Sequence, residues 1–94
     1  MKDDKFINLC EKTEKLIKNI KGYIDSSYEV EFGIGLFTVE VEGTKKEAKL
    51  SKIFKVVKKV FPEAKVVNGG SVATAEPAIV IEVIKDLSKL GRVS

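Results

Sequence analysis

The sequence predicts a two-layer α+β sandwich, in which two amphipathic helices cover one face of an antiparallel or mixed sheet of about four strands. Three observations lead to this class. Two segments repeat apolar residues at helical spacing, two neighbouring segments alternate apolar and polar residues, and one later segment is apolar at nearly every position. The predicted order is α-β-β-α-β-β. The 94 residues make one domain, residues 1–94.

The first helix is predicted over residues 4–21. Asp3 and Asp4 suit its N-terminus, because acidic groups favour the positive end of the helix dipole, and Gly22 suits its end. One stripe of the helix recurs at i, i+3, i+4 spacing and is expected to face the core. It consists of Phe6, Leu9, Cys10, Thr13, Leu16, Ile17 and Ile20.

Two strands follow turn-forming residues at positions 25–27. Over residues 28–32 the apolar side chains have even numbers, whereas over residues 37–41 they have odd numbers. One straight strand cannot change parity, because its side chains alternate with period two. Residues 33–35, with the sequence Gly-Ile-Gly, must therefore form a hairpin turn or a bulge, and we favour the hairpin.

The second helix is marked at both ends. Thr44-Lys45-Lys46-Glu47 fits a capping box, with Thr44 as N-cap and Glu47 at N3, and Pro62 ends the helix at Phe61. We expect one continuous helix between them. Its apolar stripe is Leu50, Ile53, Phe54, Val57, Val60 and Phe61.

The last third of the chain predicts two more strands. Residues 64–67 are predicted to form a short strand. A loop then begins at Asn68-Gly69-Gly70-Ser71 and runs to about Pro77. Residues 72–74 are a candidate extension of a strand into this loop. Residues 78–84 are apolar on both parities apart from Glu82. This predicts a central strand covered on both faces or nearly so. Residues 87–91 suggest a final helical turn.

The strands also predict an acidic outer face of the sheet. Alternation places five glutamates on the side away from the helices, where an apolar rim or an unpaired edge strand would suit a second copy or another protein. These residues are Glu29, Glu31, Glu40, Glu42 and Glu82.

Composition argues against an enzyme, a cofactor or a metal. There is no histidine, so no Cys–His pair exists, and the single Cys10 is expected to act as a small buried hydrophobe. No glycine loop opens a helix as a P-loop or dinucleotide-binding fingerprint requires.

We see no signal peptide, and the longest apolar run is four residues, so we expect a soluble cytoplasmic protein. Lysine and glutamate enrichment suits a thermophile or an AT-rich genome.

Charge is divided sharply along the chain. Residues 1–43 hold six lysines against nine acids, whereas residues 44–65 hold eight lysines against two. A row of ammonium groups can follow a phosphate backbone without reading sequence, so nucleic-acid binding is the most specific hypothesis. An assembly module, as a homodimer or accessory subunit, stays open beside it, as does a plain solvated helix face. The predicted contacts are Lys45, Lys49, Lys52, Lys55 and Lys59.

One resemblance concerns element order. Redrawn as helix, long strand, helix, strand, strand, with residues 64–85 as a strand, a glycine-serine loop and an apolar strand, the chain is similar to Alba-type chromatin proteins of archaea after their first strand. The resemblance implies nucleic-acid binding. It covers topology alone and transfers no residue, because the loop lacks basic side chains.

Overall fold

The computed structural model describes residues 2–70 and 77–87 and confirms the α+β class. Within these residues, helices cover one face of a four-stranded antiparallel sheet of order β1-β2-β4-β3. The order of elements matches the predicted one, except that the second helix is divided in two. The elements are α1 Lys2–Ile17, β1 Tyr23–Glu31, β2 Ile34–Val41, α2 Lys45–Leu50, α3 Lys52–Val60, β3 Lys65–Gly70 and β4 Pro77–Asp86.

Helix α1 ends one turn earlier than predicted. After Ile17 the chain tightens: the Ile20 amide donates to the Ile17 carbonyl, and Gly22 then adopts a positive φ of 101° that suits glycine. The predicted stripe is buried at its centre, where Thr13 donates its hydroxyl to the Leu9 carbonyl at 2.7 Å. Leu16 lies on the flank of that stripe and is exposed, contrary to the prediction.

Strands β1 and β2 form the predicted hairpin, but β1 includes residues 25–27, which were predicted to form a turn, and the hairpin turn lies earlier than expected. Glu31 pairs with Ile34, so the loop is the two residues Phe32 and Gly33, with positive φ angles of 51° and 75° as in a type I′ turn. Phe32 therefore does not continue the strand, and its side chain is 95% exposed. The hairpin also replaces the single long strand that the Alba-like order requires.

The second predicted helix is broken at Ser51. The capping box at Thr44 and Glu47 is present as predicted, but Ser51 has extended backbone angles and ends α2 while capping α3. Its hydroxyl donates to the Ala48 carbonyl at 2.6 Å and accepts from the Phe54 amide at 3.1 Å. Leu50, predicted to be buried, is consequently exposed at the end of α2.

Strand β3 extends through residues that were predicted to form a loop. Asn68, Gly69 and Gly70 pair with the start of β4. Strand β4 is central, as predicted, but only one of its faces is covered: Ile81 is buried, whereas Ile84 is 51% exposed. The predicted extension at residues 72–74 and the helical turn beyond Leu87 lie outside the described residues.

Three phenylalanines hold the two layers together. The Phe61 ring, at the end of α3, lies 5.7 Å from that of Phe6 on α1 and 5.8 Å from that of Phe37 on β2, both in tilted contact. All three are fully buried. Gly35 packs closely against this cluster: a Cβ at this position would lie 2.7 Å from the Phe6 ring.

No helix within the described residues is long and apolar enough to span a membrane.

Candidate functional site

The break at Ser51 places the five predicted lysines on two separate helices instead of one row. The first two lie on α2 and the last three lie on α3. All are exposed: Lys45, Lys49, Lys52, Lys55 and Lys59.

A recess between α2, α3 and β3 gathers lysines from the two helices. It has a volume of about 340 Å³, and no acidic side chain lines it. Apolar groups contribute the rest of its wall, namely the half-buried Phe54 and the buried Ala64 and Val66. Lys65 borders the recess, but its side chain lies on the opposite face of the sheet, beside Glu82. We call the recess the lysine recess; its lysines are Lys45, Lys49 and Lys58.

Helix periodicity explains which lysines reach this recess. On α3, Ile53 and Val57 are buried, and Phe54 and Lys58 follow each of them by one position, about 100° around the helix. Phe54 and Lys58 therefore lie on the flank of α3 that borders the recess. On α2, Ala48 is the buried residue, and the recess is lined by its neighbours on the same short helix.

Few negative groups neutralise the recess. The Lys58 Nζ lies 5.5 Å from the centroid of the Phe54 ring, a cation–π distance. The Lys65 Nζ is 3.8 Å from Glu82 Oε1, a long contact with the Lys65 side chain 61% exposed. Among the described residues, no carboxylate oxygen lies within 4.0 Å of the Nζ of Lys45, Lys49 or Lys58. The recess is thus suited to an anion.

The three remaining predicted lysines form a second group, which we call the lysine ridge. Lys52, Lys55 and Lys59 are spaced three and four positions apart on the solvent side of α3, so neighbours are separated by about 5–6 Å at Cβ. In the part of the chain that the structure describes, none of them makes an ion pair. The ridge continues the positive surface along α3.

Sequence reasoning missed one lysine of the recess. Lys58 falls on the flank of a continuous helical wheel. The available signal was the density of lysine over residues 44–65, which includes it. Spacing on one helix could not reveal that lysines of two separate helices meet beside β3.

The sheet face that the helices leave uncovered, here called the open face, is acidic as predicted. Glu29, Glu40 and Glu82 alternate with core residues of β1, β2 and β4, and Glu31 ends β1 on the same side. Glu42 lies one residue beyond β2. A hollow of about 190 Å³ sits between β1 and β2, where the Ser27 and Thr38 hydroxyls are 3.1 Å apart.

The other candidate reactive groups are structural. Cys10 is buried, and burial, helped by Glu14 and Glu11, raises the pKa of its thiol to about 12, so it is protonated at neutral pH. The Tyr28 hydroxyl donates to Glu11 at 3.2 Å and links β1 to α1. Across the residues that the structure describes, no group of three or more acidic or sulfur ligands could hold a metal ion.

A second polar link between β1 and α1 involves Tyr23. Its hydroxyl is 2.6 Å from the Ser26 hydroxyl, which in turn donates to Glu14. Both tyrosines thus pack at the edge of the core, with their hydroxyls engaged in hydrogen bonds.

No protein-family model matches the chain, and neither a curated protein nor a solved structure matches it.

Proposed function

We propose that this protein binds the phosphate backbone of nucleic acid, without selecting a sequence, through the lysine recess and the adjoining lysine ridge. The observation that carries the proposal is the convergence of three lysines, from α2 and α3, on one recess lined by no acid. Like charges held together in this way repel one another, and a bound phosphate chain relieves that repulsion while it releases counterions.

The side-chain chemistry favours phosphate over base recognition. Every cation of the recess and ridge is a lysine, whose ammonium group is a point charge without the planar fork that arginine offers to guanine or to a phosphate. Contacts of this kind position a protein on a backbone and carry no sequence information. Affinity should therefore depend steeply on salt and little on sequence.

The test is fluorescence anisotropy of a labelled 20-base-pair duplex, titrated with the protein over a range of salt concentrations. The recess variant replaces Lys45, Lys49 and Lys58 with glutamine. A matched control replaces three exposed lysines of α1, Lys5, Lys12 and Lys15, also with glutamine. Both variants lower the formal net charge by three from +3, so only the location of the removed charge differs.

The recess variant should bind at least about tenfold more weakly, and its log–log salt slope should be shallower by up to about 0.9 for each phosphate that the variant no longer neutralises. The control should change affinity by less than about threefold, because long-range charge alone is screened within about 8–10 Å. Equal weakening in both variants would mean that net charge, and not the recess, drives binding. No binding by the unmodified protein at low salt would overturn the proposal.

A third variant asks whether the ridge takes part. Replacing Lys52, Lys55 and Lys59 with glutamine leaves the recess intact. We expect a shallower salt slope, by up to about 2.7 for three phosphates, with weaker binding to every sequence tested. An unchanged slope would confine the contact to the recess.

A second candidate function, assembly with a protein partner, is favoured by a different observation. The open face leaves apolar side chains of β2 and β4 exposed, among them Ile34 and Ile84. Binding through apolar surface would persist or strengthen at high salt, where binding to a phosphate backbone fails.

A further inference from the structure

The tip of the β1–β2 hairpin carries an aromatic side chain that does nothing for the fold. Phe32 is 95% exposed, and it occupies the first central position of the turn with φ of 51°. Left-handed backbone is unfavourable for a residue with a bulky side chain, and asparagine or glycine is preferred at this position. Neither burial nor turn geometry therefore accounts for a phenylalanine here.

Three aliphatic side chains lie next to this tip on the open face. Leu36 pairs with Ile84 across β2 and β4, and Ile34 is two residues from Phe32 at the start of β2. Ile34 is 41% exposed, Ile84 is 51% exposed and Leu36 is half-buried. Together the four form what we call the hairpin patch, which consists of Phe32, Ile34, Leu36 and Ile84.

Carboxylates border the hairpin patch on both sides. On β1, Glu29 pairs with Leu36 and Glu31 pairs with Ile34. On β4, Glu82 lies two residues before Ile84 and therefore on the same face. The described lysine on this face is Lys65, on the far strand β3, where it pairs with Glu82. The patch thus has an apolar centre and an acidic margin.

We propose that the hairpin patch binds an amphipathic segment of a partner protein, with apolar side chains at its centre and lysine or arginine along its margins. The negative charge of the margin favours a basic partner segment over a second copy of the chain. A second copy that docked with its own hairpin patch would bring two acidic margins together, and like charges placed opposite each other are destabilising. Phe32, exposed at the hairpin tip, offers the large aromatic side chain that commonly anchors such an interface.

The probe is a synthetic 18-residue peptide of leucine and lysine arranged as an amphipathic helix. Two further peptides serve as controls, one with glutamate in place of lysine and one of the same composition in scrambled order. Binding is followed by amide chemical shifts of the ¹⁵N-labelled protein. Shifts induced by the basic amphipathic peptide should centre on residues 29–36 and 82–84, and the two control peptides should bind at least about tenfold more weakly.

Two variants locate the contact. Phe32→Asn suits the turn and Ile84→Thr keeps a β-branched residue in its strand, so both should fold. Each should weaken binding of the basic peptide by about tenfold or more. The controls, Leu16→Gln on α1 and Leu50→Gln on α2, remove exposed apolar side chains elsewhere and should change the affinity for the basic peptide by less than about twofold.

Several results would overturn this proposal. They are equal binding of the acidic peptide, shifts centred away from the hairpin patch, and equal weakening in the control variants. Sedimentation of the protein alone gives a separate test, because a dimer that Phe32→Asn abolishes would make a second copy the occupant. Duplex binding by Phe32→Asn should stay unchanged, so failure here is distinguishable from failure of the lysine recess.

Discussion

Replacing Phe32 with asparagine should stabilise the protein. The φ of 51° places Phe32 in the left-handed region, which costs an ordinary L-residue roughly 1–2 kcal/mol and asparagine considerably less. The side chain is 95% exposed, and full burial of a phenylalanine stabilises by only about 1.5–3 kcal/mol. Removing the ring therefore costs only about 0.1 kcal/mol of burial. We expect the free energy of unfolding to rise by about 1 kcal/mol, and Tm by about 4–8 °C.

Urea and thermal unfolding followed by circular dichroism would measure this change. Phe32→Ala is the matched control, because it removes the aromatic ring but leaves a Cβ in the left-handed conformation. Its stability should stay within about 0.5 kcal/mol of the unmodified protein. If alanine stabilised as much as asparagine, the gain would come from removing an exposed ring and not from the backbone. A loss of stability in Phe32→Asn would refute the reasoning, and with it the view that Phe32 contributes nothing to folding.

Three further outcomes are expected. Gly35→Ala should lose about 1–3 kcal/mol in urea unfolding, because its Cβ would lie 2.7 Å from the buried Phe6 ring; unchanged stability would show that the ring moves aside freely. The hydrogen bonds with Thr44 lower the pKa of Glu47 from 4.5, so its stabilising effect is present above the unfolded pKa and is lost as pH falls through the folded one. The stability difference between the unmodified protein and Glu47→Ala should accordingly shrink in acid, and a difference independent of pH would contradict this. Cys10, with its pKa raised to about 12 by burial, should react with a disulfide reagent at pH 8 only as fast as the fold opens, and at once in denaturant.

The elements of the fold were predictable where local chemistry alone determines them. The capping box at Thr44 requires only four neighbouring residues, and it is present as predicted. The helix break was hidden for the opposite reason: Leu50, Ile53, Phe54 and Val57 keep the i, i+3, i+4, i+7 pattern across Ser51. Apolar spacing therefore predicts one helix, although the serine hydroxyl ends α2 and caps α3.

The hairpin turn was misplaced because its residues break the usual preference. Gly33 and Gly35 both allow positive φ, and placing the turn between them leaves Phe32 in a strand, which is where a phenylalanine is favoured. In the structure Gly35 instead provides room for Phe6, a contact between distant segments. Likewise, the apolar residues of β4 predicted that both faces of this strand are covered. The described helices cover only one face, and the exposed Ile84 on the other face belongs to the hairpin patch.

The candidate site was predictable only in part. The lysine-rich segment was visible from counting, and two of its predicted residues, Lys45 and Lys49, do line the recess. Lys58 joins them because its flank of α3 borders the recess. Its position depends on the packing of α2 against α3, which no periodicity within one helix encodes.

One contact, between Lys65 and Glu82, links the lysine recess to the hairpin patch, and its strength sets the thermodynamic coupling between ligands bound at the two surfaces. Lys65 borders the recess, but its Nζ lies on the open face, 3.8 Å from Glu82 at the margin of the hairpin patch, so a phosphate that drew Lys65 away would free Glu82 for a basic partner. This arrangement would make each ligand favour the other, since coupling between sites is reciprocal. The pair is exposed and long, however, with the Lys65 side chain 61% accessible, and such pairs contribute about 0–1 kcal/mol. Coupling should therefore not exceed about fivefold. The proposed nucleic-acid and protein ligands would therefore bind on opposite faces of the sheet almost independently of each other.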